Sequence, residues 1–200
     1  MSRTARIIPP QGYLHVIARG NNSQRIFLYR RDYRSYLYCL KKLKKEEFVQ
    51  IHHYCLMPNH VHLLVGVSQK SNLSRFMKRL GLKLFYQYQR RRSYSGHLLQ
   101  GRFKSKVIGD ERYYLQCGKY IELNPVRAGI VNVPEAYPFS SYRHYAFGQK
   151  DNVLDGDILY NVLHKDPAQQ CRAYQRMIVE KDQCIENLGF SNCNLLLGND

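Results

Sequence analysis

The chain of 200 residues carries 31 Lys and Arg against 15 Asp and Glu, a formal net charge of +16, with 44% hydrophobic and 12% aromatic residues. That apolar content excludes an unfolded chain. No run approaches the ~18 apolar residues of a membrane span, and the start MSRTARIIPP lacks the apolar segment of a signal peptide. A cytoplasmic protein is expected, with no membrane partner and with a polyanion, nucleic acid first, as ligand.

In chain order, Gly12–Arg19 (GYLHVIAR) predicts a strand that runs into the turn Gly20-Asn21-Asn22. Arg31–Glu47 has Tyr33, Tyr36, Leu37 and Leu40 at helical spacing with a cationic outer face. Phe48–Leu56 and His60–Val67 predict two strands joined at Met57-Pro58-Asn59, a hairpin. Ser71 or Asn72 can cap a helix to about Arg92 through Leu73, Phe76, Met77, Leu80, Leu84 and Tyr88. Gly101–Ile108 predicts a strand, and Asp110 caps a helix that should end or kink at Pro125. The order is β-α-β-β-α-β plus one helix, an α+β, ferredoxin-like antiparallel sheet with two helices on one face. The other face is left for the added helix and a ligand.

Charge divides the chain. Residues 1–150 hold 27 cations and 7 anions; residues 151–200 hold 4 cations and 8 anions. A boundary near Gly148–Asn152 therefore separates a basic domain from an acidic extension. Asp166-Pro167 predicts a helix start there, followed by an apolar stripe of Cys171, Tyr174, Ile178, Ile185 and Leu188. The extension's sign is complementary to the basic surface. The six cysteines, Cys39, Cys55, Cys117, Cys171, Cys184 and Cys193, form no C-x-x-C pair and read as reduced thiols.

The chemistry concentrates in two places. In His60-Val61-His62 the strand period puts both imidazoles on one side. They are either polar residues on a half-exposed strand or ligands of a divalent metal. In Gly118–Val131 (GKYIELNPVRAGIV), Tyr120 and Asn124 are four apart and share a helix face, while Glu122 points elsewhere. Tyr120 is either a core aromatic, one of 17 tyrosines, or a nucleophile beside a metal ligand.

Together, Pro58–Leu64 (PNHVHLL) and Tyr120–Val131 (YIELNPVRAGIV) resemble the HUH single-strand nuclease superfamily, and within it the REP-associated tyrosine transposases. The resemblance covers about residues 10–145, including Gln100–Lys104 and Pro138–Tyr142, where Phe139 stands in place of a frequent tryptophan. It implies His60, His62 and Asn124 as ligands of Mg²⁺ or Mn²⁺ and Tyr120 as nucleophile. It further implies cleavage and rejoining of single-stranded or hairpin DNA at palindromic repeats through a 5′-phosphotyrosine, by a monomer or a homodimer.

Arg102, Lys104 and Lys106 alternate along the predicted strand and form a row suited to a phosphate backbone. Arg75 and Arg79 form a helix row, and Arg19 and Asn21 flank the first turn; all are candidate DNA contacts. His52 and His53, being adjacent, should face opposite sides of their strand, and with His15 they read as structural or phosphate contacts. Lys119 and Arg127 flank the tyrosine motif without an assigned role. Two other readings compete. One is a non-catalytic nucleic-acid module stacking bases on Tyr13, Tyr54 and Phe103. The other is a phosphodiesterase that uses water and tolerates Tyr120→Phe.

Overall fold

The computed structural model describes residues 8–179. Strands β1 (Gly12–Arg19), β2 (Gln50–Met57), β3 (His60–Val67) and β4 (Lys104–Ile108) form one sheet in the order β2-β3-β1-β4. All three pairings are antiparallel. Helices α1 (Arg30–Glu46) and α2 (Leu73–Arg92) lie between the strands in sequence, and α3 (Glu111–Arg127) follows β4. This is the ferredoxin-like order with the added helix.

Strand alternation sorts the side chains into two layers. Leu14, Val16, Ile51, Tyr54, Leu56, Val61, Leu63 and Val65 meet Leu40 and Leu43 of α1 and Phe76 and Leu80 of α2. Each such aliphatic residue, fully buried, stabilises by about 1.5–3 kcal/mol over an exposed one. The opposite face carries Cys55, Met57, Leu64 and Ile108, covered by Tyr114, Cys117 and Ile121 of α3. Caps fix the helix starts: Asn72 accepts from the Arg75 N–H at 2.9 Å, and Asp110 from the Tyr113 N–H at 2.7 Å. Among the described residues no helix is long and apolar enough to cross a membrane.

Four expectations are corrected. Strand β2 starts at Gln50, because Phe48 adopts a left-handed φ of 53° and turns the chain. Strand β4 starts at Lys104, because Gly101, at φ 64°, ends the extended path. Arg102 thus stands before the strand, and the cation row on it reduces to Lys104 and Lys106. Pro125 lies inside α3 rather than at its end. A proline there removes its own donor and crowds the carbonyl four residues back, yet the helical pattern resumes, with the Ala128 N–H reaching the Asn124 carbonyl at 2.9 Å. Finally, the β2–β3 register shifts between Ile51 and His53, with His52 as the extra residue. This bulge turns both His52 and His53 toward α3, where each packs against Tyr114.

The acidic segment packs on the domain as far as it is described. Helices α4 (Tyr142–Phe147), α5 (Ile158–Asn161) and α6 (Pro167–Val179) complete the order. Asp166 accepts from the Gln169 N–H at 2.8 Å ahead of Pro167, as the sequence predicts. Tyr174 and Ile178 are buried against Tyr142 and Tyr145 of α4. Ile185 and Leu188 of the predicted stripe, like Cys184 and Cys193, lie outside the described residues. Asp155 accepts from the Ile51 N–H at 2.8 Å and pairs with Lys44 at 2.8 Å, while Tyr54 donates to Asp151 at 2.7 Å. These acids bind at β2, the far edge of the sheet from Lys104 and Lys106.

Candidate active site

The period of β3 delivers His60 and His62 to the α3 face, while Val61 is buried among the helices. The turn before them is held from outside. Gly20 N–H donates to the Asn59 carbonyl at 2.8 Å, and the Ile26 and Phe27 N–H groups donate to the Pro58 carbonyl at 2.8 and 3.0 Å. The two imidazole rings stand 4.7 Å apart at 85°. Each has its Nδ1 engaged: His60 with Asn59 Oδ1 at 2.6 Å, His62 with His15 Nε2 at 3.0 Å. Nε2 of His62 is buried without a hydrogen-bond partner.

Burial holds both rings neutral at pH 7. It pushes His60 down to about 4; nearby Arg19 adds to the shift, and the hydrogen-bonding oxygen of Asn124 opposes it. Burial, with His60 and His15 alongside, pushes His62 well below the usual imidazole range. Lone pairs are therefore available without competition from protons.

Helix α3 brings Tyr120 and Asn124 to these rings. The Tyr120 ring lies 5.7 Å from that of His62 at 85° and 5.9 Å from that of His15 at 74°. Asn124 donates from Nδ2 to the Tyr120 carbonyl at 3.2 Å, and the Arg127 guanidinium sits 5.1 Å above the Tyr120 ring. The sequence pairing of Tyr120 with Asn124, and of both with the histidines, is a contact in the fold. Lys119 instead turns to α6, donating to the Met177 carbonyl at 3.0 Å.

Two features hold α3 against β2. The helix has no side chain where it crosses His53, since a Cβ on Gly118 would lie 2.8 Å from His53 Nε2. On the next turn Glu122 is fully buried and accepts from Ser141 Oγ (2.6 Å), Tyr174 OH (2.7 Å) and His53 Nδ1 (3.0 Å). His53 Nε2 in turn donates to Asp157 at 3.2 Å, which also accepts from Tyr114 OH at 2.9 Å. Burial works against the His53 imidazolium, but its bonds to Asp157 and Glu122 outweigh that and raise it to about 9. Burial likewise opposes the Asp157 carboxylate; the His53 bond overrides it and leaves the acid at about 2. A buried, paired charge network thus anchors the tyrosine helix.

Sequence reasoning missed His15, Glu122 and His53 as parts of this arrangement. The alternation within β1 puts His15 with Tyr13 and Ile17, but which face they share depends on pairing with β3. Glu122 was legible only as pointing away from Tyr120, which it does.

The basic candidates divide. Arg19 donates to Ser23 Oγ at 2.7 Å and borders a cavity of about 180 Å³ together with Arg25, Asn59, His60 and Asn124. Arg19 also borders a larger cleft of about 500 Å³, with Lys78, Met77, Leu99, Arg102 and Phe103. Asn21 is tied by its N–H to the Leu98 carbonyl at 2.9 Å. Lys104 and Lys106 pair with Ile17 and His15, so the strand row lies on the imidazole side of the sheet. Arg75 and Arg79 lie on the helix layer, where they bond Glu47 at 2.5 and 2.7 Å; Arg79 also bonds Glu46 at 2.6 Å. Of the three aromatics a stacking platform would use, Tyr54 is buried among the helices, Tyr13 packs edge-on to Tyr114, and Phe103 stands before β4, where it lines the larger cleft.

Among the described residues, no three or more His, Cys, Asp or Glu side chains are placed to hold a metal ion. The available donors are two imidazoles and one amide. The orphaned Nε2 of His62 and the two neutral rings fit a divalent cation whose remaining positions are filled by anionic oxygens from outside the protein.

No curated protein matches the chain. Among solved structures, a REP-associated tyrosine transposase bound to a REP hairpin is similar in fold. The TM-score is 0.64 at 20% identity, over 79% of this chain and 93% of that one. A protein of Deinococcus radiodurans assigned to the transposases gives a TM-score of 0.42 at 16% identity, over 60% of this chain and 96% of that one, a likeness that carries no argument. The sequence pattern of the family described as "Transposase IS200 like" matches residues 10–124. That span exceeds half the chain, and the protein belongs to the IS200-like transposases, enzymes of DNA transposition.

Proposed function

We propose that the protein cuts and rejoins one DNA strand with Tyr120 as nucleophile, at hairpins formed by palindromic repeats. One observation carries this reading: Tyr120 packs against His62 at 5.7 Å while Asn124, on the next turn of the helix, lines the same cavity as His60. A core tyrosine needs no such company, and a non-catalytic module needs neither pair. The fold relative bound to a REP hairpin supports hairpin DNA as the substrate class.

His60, His62 and Asn124 would hold Mg²⁺ or Mn²⁺. When bound, such an ion withdraws charge from the non-bridging phosphate oxygens. The chain's own residues do the rest. Tyr120 Oη forms a bond to phosphorus as the P–O3′ bond breaks, and the phenolic proton ends on the 3′ oxygen. The strand is left with a free 3′-OH and a 5′-phosphotyrosine. A 3′-OH attacking that linkage restores the phenol and joins strands, so no nucleotide cofactor is consumed. A phenol of pKa near 10 is a weak nucleophile at pH 7, so its positioning matters more than its ionisation. Arg19, Arg102, Lys104 and Lys106 would bind the strand's phosphates.

The test is a labelled hairpin incubated with protein and Mg²⁺ or Mn²⁺, run on a denaturing gel. A protein–DNA adduct is expected with the wild type and none with Tyr120→Phe. Cleavage that survives Tyr120→Phe would point to water as nucleophile and sink the assignment. His60→Ala should abolish the adduct and keep hairpin binding.

A further inference from the structure

Helix α3 carries a permanent cation on the face of Tyr120. Arg127 follows Tyr120 by seven residues and Asn124 by three, so the three side chains form one stripe along the helix. Its guanidinium carbon stands 5.1 Å from the centre of the Tyr120 ring. The His62 ring stands 5.7 Å from that centre, so the candidate nucleophile touches a candidate metal ligand and a cation at once. Tyr120 is buried and Arg127 is exposed, which puts the cation on the solvent side of the ring. The other cations of the neighbourhood are held elsewhere. Lys119 donates to the Met177 carbonyl on α6, and Lys106 Nζ lies 5.0 Å over Tyr113, two turns before Tyr120. Arg19 donates to Ser23 Oγ.

A phosphorus attacked by Tyr120 Oη becomes a substituent of that ring and comes to rest beside Arg127. As the Oη–P bond forms and the P–O3′ bond breaks, negative charge gathers on the non-bridging oxygens. A guanidinium is always protonated, and its parallel N–H donors match two phosphate oxygens. Contact with an aromatic face is weaker than such charge-assisted bonds, so an arriving phosphate takes the guanidinium over from the ring. We propose that Arg127 is a catalytic residue of strand transfer: its guanidinium binds the non-bridging oxygens of the scissile phosphate and offsets the charge that gathers there in cleavage and in rejoining. The proposal rests on Tyr120 as the nucleophile. The competing account of the same geometry is that Arg127 only packs on the ring and complements the carboxyl end of the helix dipole.

The test uses the full-length protein and a hairpin with flanking single strands, on which the wild-type adduct maps the cut. Single-turnover adduct formation at saturating protein should fall about 10²–10³-fold in Arg127→Gln, the loss that follows removal of one donor to a developing oxyanion. Hairpin affinity should change far less, since one phosphate contact of several is lost. Arg127→Lys, which keeps the charge, should recover part of the rate. The decisive substrate carries a methylphosphonate at the cut, where an uncharged methyl replaces one non-bridging oxygen. On it the ratio of wild-type to Arg127→Gln rates should collapse toward unity, because less charge is left to offset. A packed arginine predicts the same ratio on both substrates. That result overturns the proposal, as does an Arg127→Gln protein that forms adduct at the wild-type rate.

A second readout needs no turnover. In Tyr120→Phe labelled with ¹⁵N at arginine, the Arg127 Nε–H resonance is assigned by its loss in the Arg127→Lys double variant. It should move when the natural hairpin binds and move much less with the methylphosphonate. An unmoved resonance overturns the proposal even where methylphosphonate DNA gives no adduct. Adduct that survives Tyr120→Phe, or none from the wild type, sinks the tyrosine reading first and the role of Arg127 with it. The results above fail Arg127 alone.

Discussion

Tyr174 of α6 donates to Glu122 of α3 at 2.7 Å, so a helix of the acidic segment grips the middle of the helix that bears Tyr120 and Asn124. Tyr174→Phe leaves one oxygen of a fully buried carboxylate without its donor, which costs about 1–3 kcal/mol. Urea denaturation should show a loss of that size. Hairpin binding should persist while adduct formation slows, because the cations proposed to bind phosphate are untouched. An unchanged denaturation midpoint would contradict the grip.

The charge of His53 makes stability depend on pH. It faces Glu122 and Tyr114 of α3, Asp157, Tyr145 of α4, and its neighbour His52. Its folded value of about 9 lies above the ordinary 6.5, so the folded protein binds the extra proton more tightly. Its contribution is complete below pH 6.5 and is lost as pH rises through 9. Asp157, held at about 2 against an ordinary 3.8, contributes above pH 3.8 and ceases to do so as pH falls through 2. Unfolding free energies at pH 6.5, 8 and 9.5 should therefore decline for the wild type. His53→Gln should be less stable at pH 6.5 and lack most of that decline; an equal slope in the variant would assign it to other groups.

At Gly118 the sign of a substitution is diagnostic. In an exposed helix interior, Gly→Ala stabilises by up to about 1 kcal/mol. Here the new Cβ would meet His53 Nε2 at 2.8 Å and Cε1 at 2.9 Å. That ring is bonded at both nitrogens and has nowhere to move. Gly118→Ala should instead destabilise by about 1–3 kcal/mol, the range for overpacking. A rise in melting temperature would show that α3 does not approach β2 this closely.

The lysines of β4 and the arginines of α2 should separate in a salt titration. Lys104→Ala and Lys106→Ala should each lower the salt slope of hairpin binding by about 1, the signature of a lost phosphate contact. Arg75→Ala should leave the slope nearly as it was, since its guanidinium is bonded to Glu47. A drop in slope for Arg75→Ala equal to that for Lys106→Ala would extend the DNA path over the helix layer.

Much of the fold was legible because it follows local rules. Strands β1 and β3 have the bounds that alternation and turn residues predict, and Asn72 and Asp110 cap where they should. That His60 shares a face with His62, and Tyr120 with Asn124, was legible from two periods, 2 along a strand and 3.6 around a helix; that the two pairs meet was implied only by the family resemblance. The rest depended on distant partners. Glu122 reads only as pointing away from Tyr120 until His53, 69 residues away, and Tyr174, 52 away, close on it. The left-handed turn at Phe48 has no glycine to announce it. A shift of register inside β2 inverts the facing of His52 while leaving the hydrophobic pattern intact.

That shift makes His52 supernumerary. Ile51 pairs with Val65 and His53 with Leu64, consecutive partners on β3, so His52 is the residue the ladder does not count. Its excision would bring the strand into unbroken phase, with Ile51 still among the helices and His53 still toward α3. What would be lost is a ring packed against the contacting pair Tyr13 and Tyr114. The sheet is thus indifferent to His52, and the residue is retained by the layer that lies above it.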